Sequence, residues 1–230
     1  MNKKRFTEIL QYLFYLSITI VVIYRREING VGSLVFFAGM WIMTIIRMPF
    51  ANRVKNNNII KNQKGKTENW LLFFVSLTMS LLPILHLVTG LFNFANYSLP
   101  QYSVYIGACF FAIGLYLFWR SHKDLGDNWS VTLEIREKHE LITNGIYTYI
   151  RHPMYASILL MSFAQPLLIQ NYIAGVLSVV AFLIMYIIRR KTEEKLMYEE
   201  FGNQYIEYCN KTGRVLPFLI IKVKKEDFDK

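Results

Sequence analysis

Two long stretches of this chain contain no charged residue, and they restrict the possible folds more than any other feature. Neither residues 69–119 nor residues 154–188 include an aspartate, glutamate, lysine or arginine. Uncharged apolar segments of about 18 or more residues are typical of membrane-spanning helices. A hydrophobic fraction of 53% and a charged fraction of 18% agree with this interpretation. The sequence therefore predicts an integral membrane protein.

The hydropathy pattern predicts an all-α fold, a polytopic bundle of about six membrane-spanning helices. The predicted spans are residues 9–24, 31–50, 70–92, 102–119, 154–169 and 173–188. The last two are short for a hydrocarbon core of about 30 Å. Only Gln170, Asn171 and Tyr172 separate them, so they form a tight hairpin. We expect residues 1–119 to contain the first four spans, and residues 120–230 to contain the hairpin with the polar segments around it.

The positions of lysine and arginine predict how the chain is oriented. Most basic residues fall in the N-terminus, residues 51–69, residues 120–152 and the C-terminal tail, which share one side of the predicted spans. By the positive-inside rule this side faces the cytoplasm, so both termini are expected there. The opposite side carries only Arg25 and Arg26. The richness in asparagine, lysine and isoleucine favours a bacterial inner membrane as the location.

The net charge of +10 does not indicate nucleic-acid binding, because the basic residues lie between apolar spans rather than on one soluble face. No known nucleic-acid-binding motif is present in the sequence. The four histidines and two cysteines also lack the spacing of a metal site. We therefore expect neither nucleic acid nor metal as a partner, and the sequence leaves the oligomeric state open.

The motif Arg151-His152-Pro153 stands where a polar segment meets the fifth predicted span, between Tyr147 and Tyr155. A purely structural explanation is available, since arginine anchors at lipid headgroups and proline is favoured in the first turn of a helix. However, a histidine where water becomes scarce offers a donor and an acceptor that both require partners. A ligand site at this border is the alternative explanation.

A second pattern follows the last predicted span and indicates a helix that leaves the membrane and continues to about residue 210. The residues that recur every four positions on one face of this helix are Arg189, Glu193, Met197, Phe201 and Tyr205. Arg189 and Glu193 have two interpretations. They form a solvated pair of about 0.2–0.5 kcal/mol, or Glu193 faces a pocket and binds a cation or sugar hydroxyls.

The order and spacing of these motifs resemble the isoprenylcysteine carboxyl methyltransferase family, which belongs to a larger membrane methyltransferase group that includes the phospholipid methyltransferases. The resemblance rests on LGDNWSVTLEIREKHELITNGIYTYIRHPMY and RRKTEEKLMYEEFGNQYIEYCNKTGRVLPF, with the two short spans between them. It covers about residues 125–218, under half of the chain. It implies an S-adenosylmethionine-dependent enzyme whose catalytic region is residues 120–230, with a cytoplasmic cofactor pocket closed by the C-terminal helix.

The resemblance also implies the site residues. Those implied to contact the cofactor are His139, Glu140, Leu141, Ile142, Tyr147, His152, Pro153, Met154, Tyr155 and Glu193. Arg189 matches a substrate-side arginine, and His152 is a candidate base if the acceptor must lose a proton. The chain departs from the family pattern at Ser157, because glycine is common there, two residues after the motif tyrosine.

The chemistry of methyl transfer agrees with this set of residues. Transfer from a sulfonium is an in-line displacement, so catalysis depends mainly on positioning and on excluding water. A carboxylate acceptor is already anionic, and the Arg189 guanidinium is able to hold it with two hydrogen bonds. An amine or thiol acceptor must lose a proton, and the sequence does not distinguish these acceptors.

The expected acceptor is a lipophilic molecule that arrives from the bilayer, so membrane lipid is an expected partner. It is an isoprenylcysteine-type carboxylate or a related isoprenoid or thiol, or alternatively the amine of a phospholipid such as phosphatidylethanolamine. Two other functions remain open. One is an NADPH-dependent sterol-type reductase, whose members have about ten spans and a related C-terminal arrangement. The other is a scaffold without activity, which would be expected to lose the motif histidine or glutamate.

Overall fold

The computed structural model describes residues 16–54, 59–62, 65–126, 134–136 and 140–228. These residues form a helix over residues 16–24 (α1) and the helices α2 (Arg26–Val54), α3 (Lys66–Ser76), α4 (Leu82–Thr89), α5 (Tyr102–Leu125), α6 (Pro153–Ile169), α7 (Leu177–Phe201) and α8 (Asn203–Cys209). Two short strands, β1 (Ile59–Asn62) and β2 (Glu134–Arg136), pair antiparallel. The fold is helical as predicted, with one small ribbon in segments predicted as loops.

The membrane-spanning character of the bundle is confirmed. The described helical stretches long and apolar enough to span a membrane are Glu27–Phe50, Thr67–Thr89, Tyr102–Leu125 and Tyr172–Phe201. Helix α6 is also apolar but has only 17 residues. These stretches correspond to the second to sixth predicted spans. The first predicted span, residues 9–24, lies partly outside the described residues.

The last spanning stretch is longer than a membrane requires. Its 30 residues extend for about 45 Å, against a hydrocarbon core of about 30 Å. The apolar part ends at Ile188, and the charged residues begin at Arg189. We therefore place the part of α7 from Arg189 onwards outside the membrane-spanning segment.

One turn of π-helix, Leu77–Leu81, joins α3 to α4, and a second, Tyr172–Val176, precedes α7. Such turns disturb the regular backbone hydrogen bonds, which is costly where no water is present. The side chain of Gln165 in α6 compensates for this. Its Nε2 atom donates to the carbonyl oxygens of Thr78 at 2.9 Å and Ala174 at 2.7 Å. Gln165 thus ties both irregular turns to α6.

The centre of the bundle is built by close approach of α6 to α5 and α2. A Cβ atom at Gly114 of α5 would lie 2.7 Å from the Cγ atom of Met161, and one at Gly107 would lie 2.9 Å from the Cγ atom of Leu168. A Cβ atom at Gly32 of α2 would lie 2.1 Å from the carbonyl oxygen of Leu168. Small residues therefore set these helix–helix distances, as is common between membrane helices.

The hairpin between α6 and α7 turns inside the protein. Gln170 adopts a left-handed conformation with φ of 53°, and Asn171 is fully buried. The Oδ1 atom of Asn171 accepts hydrogen bonds from the amides of Ile173 at 2.9 Å and Ala174 at 2.8 Å. Its Nδ2 atom donates to the carbonyl of Phe92 at 2.7 Å. Contacts with protein thus replace the water that a short hairpin turn would otherwise need.

The prediction of one continuous helix to about residue 210 is wrong. Helix α7 ends at Phe201, and Gly202 takes φ of 54° and ψ of −127° before α8 begins at Asn203. Residues with a Cβ atom rarely adopt this conformation, whereas glycine adopts it at little cost. Gly202 therefore changes the direction of the chain one turn before Tyr205.

The segment after α8 returns to the beginning of α6. A parallel bridge joins Ile150 to Gly213. The amide of Arg151 donates to the carbonyl of Gly213 and the amide of His152 to that of Arg214, both at 2.9 Å. This backbone pairing holds the C-terminal segment against the residues that lead into α6.

Candidate active site

A cavity of about 380 Å³ lies among α6, α7, α8 and the segment before α6. Its volume falls within the range of about 300–1,000 Å³ that is usual for small-molecule sites. The implied site residues that line it are Glu140, Leu141, Ile142, Tyr147, His152, Pro153, Met154, Tyr155, Arg189 and Glu193. His139 lies outside the described residues. The structure thus brings together the described members of the predicted set from three separate segments.

Glu193 presents a carboxylate that is fixed in place but still accessible from the cavity. The Tyr155 hydroxyl donates to its Oε2 atom at 2.5 Å. The Nδ1 atom of His152 lies 3.4 Å from its Oε1 atom. The Glu193 side chain keeps 31% of its surface exposed. A negative charge held in this way at the wall of a cavity is able to attract a cationic ligand.

Glu194, the next residue, is the centre of a buried charge cluster that the sequence did not reveal. Its Oε1 atom lies 3.1 Å from the Nε2 atom of His152, and it accepts from the Nε atoms of Arg151 at 3.3 Å and Arg214 at 3.1 Å. Its Oε2 atom accepts from the Nη1 atom of Arg190 at 3.2 Å. Only the Arg190 contact, four residues away on the same helix, could have been predicted from spacing.

Arg151 does not anchor at lipid headgroups, because its side chain is almost completely buried. Its Nη1 atom donates to the carbonyl oxygens of Cys209 and Thr212, which ties the end of α8 to the site. Its Nη2 atom is buried and has no hydrogen-bond partner among the described residues. Because Arg151 also lines the cavity, this donor is suited to an anionic group of a ligand.

His152 is held between two carboxylates, and this determines its protonation. Burial alone would lower the pKa of His152, but the hydrogen bonds and charges of Glu193 and Glu194 outweigh burial and raise the pKa above 6.5. In the imidazolium form both ring nitrogens donate, one to each glutamate. This arrangement favours a positioning role for His152 over the role of proton acceptor.

Arg189 pairs across the bundle rather than standing in solvent. Its Nη2 atom lies 3.6 Å from the Oε1 atom of Glu68 in α3, and both side chains are largely buried. The interpretation of Arg189 and Glu193 as a solvated pair is therefore wrong. Glu68 comes from a distant part of the sequence, so no local pattern indicated that it would approach the site.

The cavity is lined by polar side chains and by apolar ones. The apolar side chains of the bundle that line it include Met40, Met43, Leu72, Val75, Met79, Phe118 and Ile158. Among the polar side chains, Tyr205 and Tyr208 of α8 also line the cavity. The Tyr208 hydroxyl donates to the carbonyl of Tyr147 at 2.6 Å, which joins α8 to the segment before α6. A molecule with a polar head and an apolar body fits this lining.

Comparisons with known proteins agree with the geometry. A family model described as phospholipid methyltransferase matches residues 102–204. The chain is 30% identical over 96 residues to protein-S-isoprenylcysteine O-methyltransferase B of Arabidopsis thaliana, covering 41% of this chain and 49% of that protein. It is 26% identical over 225 residues to the protein-S-isoprenylcysteine O-methyltransferase of Schizosaccharomyces pombe, covering 90% of each. The chain thus spans about half the length of the plant relative and most of the yeast one.

A solved structure has a similar fold. It is described as the eukaryotic intramembrane Ras methyltransferase ICMT (isoprenylcysteine carboxyl methyltransferase) without a monobody. The TM-score is 0.57 at 20% identity, and the match covers 91% of this chain and 76% of that chain. The likeness extends over the whole bundle, including the N-terminal helices for which the sequence motifs gave no information.

Proposed function

Because this chain belongs to the family of membrane methyltransferases, we propose that it transfers a methyl group from S-adenosylmethionine to a lipophilic acceptor. The observation that carries the proposal is the cavity where Glu193, held by Tyr155 and His152, faces an apolar compartment. A cationic donor requires a negatively charged group in the cavity lining, and an apolar acceptor requires apolar side chains. Family membership and site geometry thus support the same reaction class.

The polar side chains of the cavity lining fit the donor. Glu193 would face the sulfonium or the ribose hydroxyls, and the buried Nη2 atom of Arg151 would donate to a carboxylate such as that of the amino-acid part. When bound, S-adenosylmethionine supplies an electrophilic methyl group. The residues of the chain would supply orientation and exclusion of water, since Tyr155 and His152 restrain the Glu193 carboxylate.

For the acceptor we propose an isoprenylcysteine-type carboxylate or a related isoprenoid or thiol. The apolar compartment would hold the lipophilic body, and the Arg189 guanidinium would hold the anionic group. A carboxylate needs no base, which agrees with a His152 whose pKa is raised by Glu193 and Glu194. Arg189 is oriented for this role by Glu68, with which it forms a buried ion pair.

A phospholipid amine is the second candidate acceptor. It is favoured by the family model, which is described as phospholipid methyltransferase and covers residues 102–204. An amine would require a proton acceptor, and Glu193, a carboxylate in the cavity lining, is the candidate for this role. The two candidates therefore differ in the dependence of the rate on pH.

Binding of the donor is tested by calorimetry of the detergent-solubilised protein with S-adenosylhomocysteine and with NADPH. We expect saturable binding of S-adenosylhomocysteine only, weakened by Glu193→Gln. Glu199→Gln is the matched control, because Glu199 is exposed and does not line the cavity. Binding of NADPH alone would support the sterol-type reductase, and binding of neither by folded protein would support a scaffold.

The acceptor is tested with radiolabelled methyl donor and three compounds, namely S-farnesylcysteine, its carboxamide and phosphatidylethanolamine. We expect a base-labile methyl ester from the first compound and no product from the carboxamide. Labelled phosphatidylethanolamine without ester formation would establish the second candidate. We further propose, from the lysine and arginine distribution, that the cavity opens on the cytoplasmic side of the membrane. The richness in asparagine, lysine and isoleucine is the basis for proposing a bacterial inner membrane.

A further inference from the structure

Residues 216–221, which we call the apolar loop, expose large hydrophobic side chains next to the site. Phe218 has 95% of its surface exposed, and the exposed fractions of Leu216, Leu219, Ile220 and Ile221 range from 43% to 58%. Contiguous apolar surface of this kind marks an interaction site, because exposing it to water is unfavourable. The question is what covers it.

The apolar loop is fixed at both ends, so it is not a loose tail that folds back on the protein. Before it, Val215 packs against the buried cluster of Tyr155, Phe182 and Met185. After it, the amide of Val223 donates to the Oδ1 atom of Asn210 at 2.8 Å, and Val223 itself is buried. Hydrogen bonding within the loop also restrains it, since the amide of Leu219 donates to the carbonyl of Leu216.

The position of these ends places the apolar loop at the level of the membrane border. Tyr155 lies in the first turn of α6, and Phe182 and Met185 lie in the apolar part of α7 that ends at Ile188. Because Val215 packs against this cluster, it lies near the depth at which the spanning helices end. The apolar loop therefore emerges from the protein where the hydrocarbon region begins.

Three lysines follow the apolar loop and match the surface of an anionic bilayer, and the acidic residues Glu226 and Asp227 come after them. Lys222, Lys224 and Lys225 are all exposed and come directly after Ile221. Lysines close to an anionic leaflet are attracted to its negative surface potential. An apolar segment flanked by cations is the usual composition of a segment that lies in the membrane interface.

We propose that the apolar loop inserts into the interfacial layer of the membrane, with Lys222, Lys224 and Lys225 on anionic headgroups. The loop then fixes α8, whose Tyr205 and Tyr208 line the cavity, to the bilayer surface through Asn210 and Val223. This inference depends on the membrane placement of the bundle and not on the proposed reaction, so the two can fail separately.

The test is the accessibility of a spin label at position 218 to two relaxing agents. Molecular oxygen concentrates in the bilayer, whereas a neutral nickel chelate remains in water. The label is attached to Phe218→Cys in a Cys109→Ala background, and Cys209 is left in place because it is fully buried. The control label is at Gln204→Cys, an exposed position on α8. Both proteins are reconstituted in phosphatidylcholine vesicles with or without phosphatidylglycerol.

We expect the label at position 218 to be relaxed by oxygen at least several-fold more than by nickel, and the label at 204 to show the reverse order. Equal nickel accessibility at both positions would overturn the insertion. Protection of position 218 from both agents would also overturn it, and would indicate burial against a second copy of the chain. We expect phosphatidylglycerol to increase the depth, and Lys222→Gln, Lys224→Gln and Lys225→Gln together to remove this increase; an unchanged depth would overturn the role of the lysines.

Discussion

The Oε1 atom of Glu194 lies 3.1 Å from the Nε2 atom of His152, and this contact joins the last long helix to the residue before α6. The same oxygen accepts from Arg151 and Arg214, so one carboxylate connects three parts of the chain. Glu194 is absent from the cavity lining, whereas its neighbour Glu193 is part of it. Two adjacent glutamates thus have different surroundings, and we propose that Glu194 acts in stability and Glu193 in ligand binding.

Glu194→Gln is expected to destabilise the protein by about 3 kcal/mol, because it leaves buried arginines without their counter-charge. For a chain of this size the midpoint of thermal unfolding should fall by about 6–12 °C. The measurement is thermal unfolding in detergent, with Glu199→Gln on the exposed face of the same helix as the control. Equal midpoints for the two variants would contradict the assignment of Glu194 as the centre of the cluster.

The stability of this cluster is expected to depend on pH in two directions. The folded-state pKa of His152 is raised above 6.5, so its stabilisation is complete below pH 6.5 and is lost as the pH rises through the folded value. Burial would raise the pKa of Glu194, but His152, Arg214 and Arg151 lower it from 4.5 to about 2. Its stabilisation is therefore complete above pH 4.5 and is lost as the pH falls towards 2.

Thermal unfolding of the wild type is thus expected to be most resistant between about pH 4.5 and 6.5. His152→Gln should be less stable in that range and should lose the decline on the alkaline side, since glutamine does not titrate. The measurement is the unfolding midpoint at intervals of one pH unit. An alkaline decline of the same size in the variant would show that another group is responsible.

Tyr155→Phe is expected to weaken S-adenosylhomocysteine binding about 10-fold, which corresponds to the ~1.4 kcal/mol typical of one hydrogen bond to a charged group. The substitution removes the hydroxyl that donates to Glu193 at 2.5 Å but keeps the ring against Phe182. Calorimetry measures the affinity, and the unfolding midpoint shows whether the fold is retained. Unchanged affinity in folded protein would mean that Tyr155 does not orient Glu193 for the ligand.

Gly32→Ala is expected to destabilise the bundle by about 1–3 kcal/mol, because its Cβ atom would lie 2.1 Å from the carbonyl oxygen of Leu168. A backbone oxygen cannot move aside as a flexible side chain does, so α2 and α6 must separate. Gly65→Ala is the control, since a Cβ atom there would meet no described atom within 4 Å. Thermal unfolding of both variants provides the comparison.

The sequence predicted the features that depend on local composition and on short motifs. The charge-free segments located the spans, because a lipid environment excludes charges from long stretches of helix. The described members of the implied cofactor set line one cavity. They could be predicted because the motif around His152 resembles that of a family in which these residues meet. Their individual roles stay predictions.

Contacts between distant segments could not be predicted in this way. The pairing of Arg189 with Glu68, and of Glu194 with Arg214, joins residues whose separation follows no helical or strand period. The break at Gly202 was missed for a different reason. The four-residue periodicity continues through it from Phe201 to Tyr205, although the backbone does not.

The backbone bridge between Ile150 and Gly213 makes chain length as important as residue identity in this part of the protein. Backbone hydrogen bonds pair the two segments, and in the observed register Arg214 stands opposite His152. Deleting or inserting one residue between positions 203 and 212 would place a neighbour of Arg214 beside Glu194. No residue of the charge cluster would be substituted, and yet Glu194 would lose Arg214 as a partner.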